Sequence, residues 1–149
     1  MKIEDEIKGR FRNEYHRGMI NLTYTVNQLS YRFMQHIKEH GLTEPQYNVL
    51  RVLRGFRGEG PISVGFIKER MLDKSSDVSR IVDNLLEKGL IIRKEGSSDR
   101  RQKEIDITAK GLALLSEMIE CDKKADTLLQ NLTIEETIEL NRLLDKIRG

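Results

Sequence analysis

The chain has 149 residues, of which 38% are hydrophobic and 34% are charged, and its formal net charge is +2. Such a chain is long enough for one domain of ordinary size, and its longest apolar runs are far too short to span a membrane. Because its first residues are charged and a single cysteine cannot form an internal disulfide, we expect a cytoplasmic protein without a signal peptide.

An amphipathic helix is predicted in the N-terminal segment, residues 1–41. Apolar residues at helical spacing form one stripe along it: Leu22, Val26, Leu29, Phe33 and Ile37. The segment also contains side chains that suit either a core or a pocket for a small apolar molecule: Tyr15, Tyr24, Tyr31, Phe33 and Met34. Both roles fit these residue types.

The end of this helix has the H-x-x-E-H spacing of one class of zinc peptidase, in His36, Glu39 and His40. Gly41 follows directly as a helix stop, so the favourable C-terminal end of the helix dipole also explains His40. A zinc peptidase needs a further carboxylate ligand and a substrate cleft. We therefore expect no catalytic metal, keep a peptidase as a remote alternative, and leave open a regulatory metal at the two histidines.

Two helices joined by a short link are predicted within residues 42–108. Thr43 and Gln46 form a T-x-x-Q capping box for a scaffold helix that contains Val49, Leu50 and Leu53. A short helix with Val64, Ile67 and Met71 follows, and Leu72-Asp73-Lys74 links it to a second helix over residues 75–88. The second helix has one apolar stripe, formed by Val78, Ile81, Val82, Leu85 and Leu86. This pattern is typical of a helix-turn-helix.

The polar side of the second helix bears on function, because core packing fully explains its apolar stripe. Its N-terminal end carries side chains able to cap the helix or to contact base edges: Ser75, Ser76, Asp77, Ser79 and Arg80. Many ordinary helices begin in this way, so the interpretation depends on the segment that comes after this helix in the chain.

A β-hairpin with a basic tip is predicted directly after this helix. Residues 90–95 and 102–107 are β-prone, and residues 96–99 between them have turn chemistry. From residue 88 to residue 103, two anions, Glu95 and Asp99, face six cations: Lys88, Arg93, Lys94, Arg100, Arg101 and Lys103. Such an arm can place arginine beside phosphates. A solvated hairpin is the equal alternative on this segment alone.

Residues 42–111 contain several short motifs in a fixed order. L-T-x-x-Q-x-x-V-L is formed by Leu42, Thr43, Gln46, Val49 and Leu50. S-x-x-x-R followed by an apolar residue and V-D-x-L is formed by Ser76, Arg80, Ile81, Val82, Asp83 and Leu85. The remaining motifs are E-K-G-L-x-x-R from Glu87 to Arg93, D-x-R at Asp99-Arg100-Arg101, and the helix entry from Ile107 to Gly111.

In this order and spacing the motifs resemble those of the multiple-antibiotic-resistance regulator (MarR) family of bacterial transcription factors, over about half the chain. The linking turn departs from the family pattern, with Leu72 at the usual Gly position and Asp73 at the usual apolar one. The resemblance implies a winged helix-turn-helix that binds an inverted repeat of double-stranded DNA. It also implies a repressor that a small apolar or phenolic effector releases, and the effector-binding residues are unknown.

The resemblance further assigns roles to individual residues. Major-groove contacts are expected from Ser75, Ser76, Asp77, Ser79 and Arg80. Arg100 and Arg101 are expected to enter or flank the minor groove, with Asp99 orienting Arg101 through a charge-assisted hydrogen bond.

The C-terminal segment, residues 109–149, is predicted to form two helices. One uninterrupted helix is expected from Ala109 to Asn131, because no Gly or Pro follows Gly111 there. It carries a coiled-coil-like seam of Leu114, Met118, Cys121, Ala125, Leu128 and Leu132, with a second stripe of Leu112, Leu115 and Ile119 beside it. Thr133 and Glu136 form a capping box for a last helix whose apolar side comprises Ile134, Ile138, Leu143, Leu144 and Ile147.

A helix that is apolar on two sides needs two packing partners. In the resembled family the terminal helices of two subunits interlock, so we predict a homodimer rather than a lone three-helix bundle. The predicted dimerisation residues are Leu114, Met118, Cys121, Leu128, Leu132, Leu143 and Ile147. Cys121 is assigned to packing rather than to redox sensing, because it lies on the seam.

Together these patterns predict a mainly α-helical fold with a small β-hairpin wing. A winged helix-turn-helix lobe, residues 42–108, is joined to a dimerisation region formed by the N- and C-terminal helices. The predicted function is sequence-specific binding of double-stranded DNA by a transcriptional regulator without catalytic activity or cofactor. A winged-helix module that binds protein instead of DNA is the competing interpretation.

Overall fold

The structure is a computed structural model that describes residues 1–96, 101 and 103–149, without the side chain of Cys121. Helices alternate with short turns, and one hairpin interrupts them. The elements are α1 (Ile3–Ile7), α2 (Glu14–Lys38), α3 (Glu44–Gly55), α4 (Val64–Arg70), α5 (Val78–Glu87), β1 (Ile91–Glu95), β2 (Lys103–Ile107), α6 (Ala109–Glu117), α7 (Ile119–Thr127) and α8 (Ile134–Arg148). Within this described part, no helix combines the length and apolar content that a membrane crossing needs.

Helix α3 is the scaffold of the central lobe. It contacts α2, α4, α5, α6 and β2. The predicted capping box starts it, because Thr43 Oγ1 accepts from the Gln46 amide at 3.3 Å and Gln46 Oε1 accepts from the Thr43 amide at 3.1 Å. Its apolar side fills the core with Tyr47, Val49, Leu50 and Leu53, all buried. The other helices and the hairpin are therefore arranged around one fixed helix.

The link between α4 and α5 is longer than predicted and runs from Met71 to Asp77. Asp73 Oδ1 accepts from the Ser75 amide at 2.9 Å and from the Ser75 hydroxyl at 2.6 Å, which holds a turn where helix was expected. Asp77 then caps α5 by accepting from the Arg80 amide at 3.2 Å, so the helix begins at Val78 rather than at residue 75. Leu72, at the position where the resembled family has Gly, is 80% exposed.

The hairpin is confirmed, with each strand one residue shorter at its start than predicted. It is antiparallel, and its register pairs Ile91 with Ile107 and Glu95 with Lys103. Ile91, Ile105 and Ile107 are buried against the lobe, and the Ile105 amide donates to the Ile62 carbonyl at 2.8 Å. The base of the hairpin is therefore fixed to the core.

The predicted single helix over residues 109–131 is wrong: α6 and α7 are separate, and α7 ends at Thr127. The break lies at Met118, whose backbone angles are φ −88° and ψ 7°. Met118 is fully buried in the core of its own chain, so tertiary packing stabilises a bend that no Gly or Pro signals. The seam inferred from a straight helix is interrupted at this residue.

The last helix and the first half of α2 leave apolar surface uncovered. The predicted capping box of α8 is present, with Thr133 Oγ1 accepting from the Glu136 amide and Glu136 Oε2 accepting from the Thr133 amide. No residue of α8 is buried, and Ile134 and Ile147 are 76% and 67% exposed. The apolar stripe of α2 is buried only at Ile37, whereas Val26 is exposed.

Candidate nucleic-acid interface

Helix α5 presents a polar face to solvent and an apolar face to α3. Val78, Val82 and Leu85 are buried, and Ile81 and Leu86 pack partly against the same core. Ser79 and Arg80 are exposed on the other side, together with Asp83, Asn84 and Glu87. Because the buried face fixes the rotation of α5, the exposed side chains point in one constant direction. This is the geometry that a helix needs to read a major groove.

The residues before α5 divide between local structure and surface. The Ser75 hydroxyl and amide are both used by Asp73, and these two hydrogen bonds lower the pKa of the Asp73 carboxyl. The Asp77 carboxylate caps the helix. Ser76 is partly exposed, and Arg80 is exposed. Of the five predicted major-groove residues, Ser76, Ser79 and Arg80 therefore offer side chains that are not used in holding the turn.

The cations of the hairpin strands lie beside carboxylates. Arg93 Nη2 is 3.0 Å from Asp83 Oδ1, Lys94 Nζ is 3.4 Å from Asp106 Oδ2, and Lys103 Nζ is 4.0 Å from Glu95 Oε1. The first pair joins β1 to α5. Lys88 Nζ donates to the Gly41 carbonyl at 2.7 Å. Four of the six predicted cations are thus partnered within the lobe, and the hairpin is less basic than its residue count indicates.

The remaining two cations belong to the hairpin tip. Arg101 lies in a turn and is exposed. Asp99 and Arg100 lie outside the described residues, so the hydrogen bond from Arg101 to Asp99 stays a prediction. The described part of the tip is compatible with an arginine presented away from the core.

A polar cluster that the sequence reasoning missed joins α7 to α3. Tyr47 donates its hydroxyl proton to Asp122 Oδ1. Arg51 Nε lies 3.9 Å from Oδ1, and Arg54 Nη2 lies 3.7 Å from Oδ2. We call these four residues the Asp122 cluster. The spacing of Tyr47, Arg51 and Arg54 on one face of α3 was the available signal, but nothing in the sequence identified their acceptor.

A groove of about 270 Å³ lies beside this cluster, between α2, α3 and α7. It is lined by Leu29, Ser30, Phe33, Glu44, Asn48, Arg51, Leu72, Ala125 and Leu128. Partial burial raises the pKa of the Glu44 carboxyl. Of the aromatic residues considered for a pocket, Phe33 lines this groove, whereas Tyr15 and Tyr31 are 91% and 65% exposed. Tyr24 donates its hydroxyl proton to Glu6 Oε2 at 3.1 Å, away from the groove.

The H-x-x-E-H residues lie at the C-terminal end of α2. His40 Nδ1 is 3.2 Å from the His36 carbonyl oxygen. Among the described residues, no three His, Cys, Asp or Glu side chains are grouped in a way that could hold a metal ion. In this described part, His36, Glu39 and His40 are therefore not a ligand set.

The predicted dimerisation residues fall into three groups. Leu132, Leu143 and Ile147 are exposed, and Leu114 and Leu128 are partly so. Met118 is enclosed in its own chain and has no surface to offer a partner, which corrects its assignment. The side chain of Cys121 lies outside the described residues.

A helix held by its apolar face on a scaffold helix, followed by an antiparallel hairpin fixed to it, defines the winged helix-turn-helix class. The model of the MarR family matches residues 40–102, which contain the scaffold helix, the helix-turn-helix and most of the wing. Together with the relatives below, this match assigns the chain to the MarR family of transcriptional regulators.

Relatives resemble the chain over most of its length. It is 29% identical to the HTH-type transcriptional regulator MhqR of Bacillus subtilis (strain 168), over 86% of this chain and 87% of that protein. It is 28% identical to the HTH-type transcriptional repressor MdtR of the same strain, over 86% of this chain and 81% of that protein. A structure of Bordetella bronchiseptica BpsR, described as regulated in DNA binding by 6-hydroxynicotinic acid, has the same fold. It shares 23% identity with a TM-score of 0.78 and covers 95% of this chain and 99% of that one.

Proposed function

We propose that the chain is a cytoplasmic, homodimeric repressor that binds an inverted repeat of double-stranded DNA and is released by a small apolar or phenolic effector, without catalysis. The observation that carries the proposal is the fixed polar face of α5. Its rotation is set by Val78, Val82 and Leu85, and the pair between Arg93 and Asp83 holds the wing beside it. An exposed reading helix next to a basic arm is what a groove and its flanking phosphates require.

Ser76, Ser79 and Arg80 are the residues proposed to contact bases. Arginine can bind the O6 and N7 atoms of guanine together, and serine hydroxyls can donate or accept at base edges. Arg101 and Arg100 are proposed to contact the minor groove or its phosphates, with Asp99 orienting Arg101. Ser75 and Asp77 are proposed to act through the turn that they hold, because their polar atoms are already bonded there.

A second copy of the chain is proposed to cover the apolar surface of α2 and α8. Between these two helices lies a hollow of about 370 Å³ that is lined by Gly18, Asn21, Leu22, Thr25, Leu140, Leu143, Leu144 and Ile147. Exposed Ile134, Ile138 and Ile147 extend this surface along α8. Monomeric proteins rarely expose contiguous apolar patches of this kind. The proposed interface keeps Leu128, Leu132, Leu143 and Ile147 and excludes Met118.

The groove between α2, α3 and α7 is the proposed effector site. Its wall of Leu29, Phe33 and Leu128 suits an aromatic ring, and Ser30, Asn48 and Arg51 supply donors for a hydroxyl or carboxylate substituent. BpsR, which shares the fold, is described as regulated by a hydroxylated aromatic acid. A ligand there would contact both the lobe and α7.

A gel-shift experiment with DNA from upstream of the chain's own gene tests the proposal. We expect a specific shift that survives both a chelator and an excess of unrelated DNA, with a coding fragment of equal length as control. A shift that a chelator abolishes would favour a metal-dependent protein. Failure to bind any upstream fragment, while the folded lobe captures a protein partner, would favour the protein-interaction alternative.

A further inference from the structure

The Asp122 cluster crosses the boundary between the DNA-binding lobe and the helices proposed to dimerise. Asp122 belongs to the first turn of α7, whereas Tyr47, Arg51 and Arg54 belong to the scaffold helix α3. The reading helix α5 packs directly on α3. A change in the contact at Asp122 would therefore alter how α5 is oriented relative to α7.

We propose that Asp122 is a positioning residue that fixes the angle between α7 and the lobe, and thereby the half-site spacing that the dimer accepts. The inference rests on the proposed function, because spacing has meaning only for a dimer on DNA. Asp122 reads no base in this role. It sets the separation of the two reading helices.

The geometry of Tyr47 makes this contact more than an exposed ion pair. The Tyr47 side chain is buried, and its ring packs edge-on against Phe33 of α2 with centroids 5.8 Å apart. Its hydroxyl group is thus held in one place, and a hydrogen bond to a carboxylate is about twice as strong as one between neutral groups. Arg51 and Arg54 are more exposed and add little individually, but they keep positive charge on the α3 side of the carboxylate.

The bend at Met118 leaves α7 dependent on this anchor. Because α6 ends there, α6 does not transmit a fixed direction to α7 through a continuous helix. Met118 holds the bend by burial, and Asp122 is the next residue for which the described structure gives a bond to α3. Two contacts, one apolar and one polar, thus fix the start of α7 against the lobe.

A small rotation is enough to affect DNA spacing. In a two-fold dimer the reading helices lie about 34 Å apart, so each is roughly 17 Å from the axis. A rotation of about 11° moves a helix on that arm by about 3.4 Å, which is one base-pair step. Loosening the Asp122 cluster by this amount would let the dimer accept a site with one base pair more or less.

The experiment measures binding to a set of operators with identical half-sites and a centre that varies by one base pair at a time. For the wild type we expect affinity to fall about tenfold or more for one added base pair, because the second helix then meets the wrong edge of the groove. For Asp122→Asn and Tyr47→Phe we expect that reduction to shrink to about threefold. Base preference within each half-site should not change, since α5 itself is intact.

Asp126→Asn is the matched control, because Asp126 is exposed on the same helix and the substitution removes the same charge. It should keep the wild-type spacing profile. Tyr47→Phe retains the buried ring, and thermal unfolding of each variant will verify that the fold persists. Spacing profiles that are the same in wild type, Asp122→Asn and Tyr47→Phe would overturn the proposal, as would altered base preference.

A measurement without DNA separates this inference from the proposed function. Spin labels at Glu87→Cys, at the end of α5, in a Cys121→Ser background report the distance between the two lobes of a dimer. We expect a narrow distribution that becomes broader with Asp122→Asn and not with Asp126→Asn. If no DNA is bound but the distribution broadens, the proposed function fails and the positioning role stands. If it stays narrow, the positioning role fails.

Discussion

Replacing Gly111 by alanine tests how closely α6 is seated on the wing. Gly111 is buried in the first turn of α6, and a Cβ atom built there would lie 2.3 Å from the Leu90 carbonyl oxygen and 2.7 Å from Ile107 Cγ1. Real Cβ atoms do not approach backbone oxygen this closely, so α6 or the strand must move. The same carbonyl oxygen accepts from the Thr108 amide at 3.0 Å, and this bond would be strained as well.

The expected size of the effect is set by two opposing terms in the free energy of unfolding. Alanine in a helix is favoured over glycine by about 1 kcal/mol, whereas overpacking a well-packed core typically costs about 1–3 kcal/mol and occasionally more. Because one close neighbour is backbone and cannot rotate away, we expect the upper end of that cost and a net destabilisation of about 2 kcal/mol. For a chain of this length that destabilisation lowers the melting temperature by roughly 4–8 °C.

Urea and thermal unfolding at one fixed protein concentration will measure this destabilisation, since a dimer's stability depends on concentration. Gly55→Ala is the control, because Gly55 is also helical but has no atom within 4 Å of a built Cβ. It should be neutral or stabilising. A Gly111→Ala variant as stable as wild type would refute the close packing of α6 on Leu90 and Ile107.

Three further predictions concern DNA binding, assembly and the turn before α5. Arg80→Ala should cost on the order of 1–3 kcal/mol on the cognate site and much less on random DNA. Arg101→Ala should instead weaken both, and should flatten the salt dependence by up to about one unit of slope for each phosphate that a subunit no longer neutralises. Equal effects on both DNAs for Arg80→Ala would contradict base reading by that residue. Sedimentation should find a dimer at micromolar concentration, because α8 otherwise leaves its apolar side in water, and Ile138→Glu together with Ile147→Glu should dissociate it. A wild-type monomer there would contradict the proposed interface. Ser75→Ala should raise the pKa of Asp73, measured by NMR titration, because two hydrogen bonds from Ser75 lower it. Since that pKa is depressed in the folded chain, the turn is stabilised above the ordinary aspartate range and loses this contribution as the pH falls through it; an unchanged Asp73 pKa in the variant would show that the turn is held otherwise.

Local patterns were sufficient to predict most of the fold. The capping boxes at Thr43 and Thr133, the apolar stripe of α5 and the hairpin all depend on residues within a few positions of one another. Such contacts are encoded by spacing, and the structure confirms them. The helix break at Met118 depends instead on burial against distant elements, and no local residue signals it.

The candidate site shows the same division. Sequence placed a polar face on α5 and a basic hairpin beside it, but it could not show that Arg93 faces Asp83 or that Lys94 faces Asp106. Those partners lie across a strand pair or on another element, so a count of cations overstated the charge available to DNA. The contact of Asp122 with Tyr47 spans 75 positions along the chain, which no spacing rule reaches.

The partnered cations change how the wing can contribute to binding. Arg93 and Lys94 lie within ion pairs that fix the hairpin to α5 and to its own second strand, so their charge is largely compensated before DNA arrives. Phosphate attraction from the wing must then come mainly from its tip, where Arg101 is exposed. A rigid base with charge concentrated at the tip gives a wing that contributes few phosphate contacts but places them at a defined distance from α5. Specificity in such an arrangement depends on α5 and on the spacing of two lobes, which is why the angle set at Asp122 matters as much as any single basic residue.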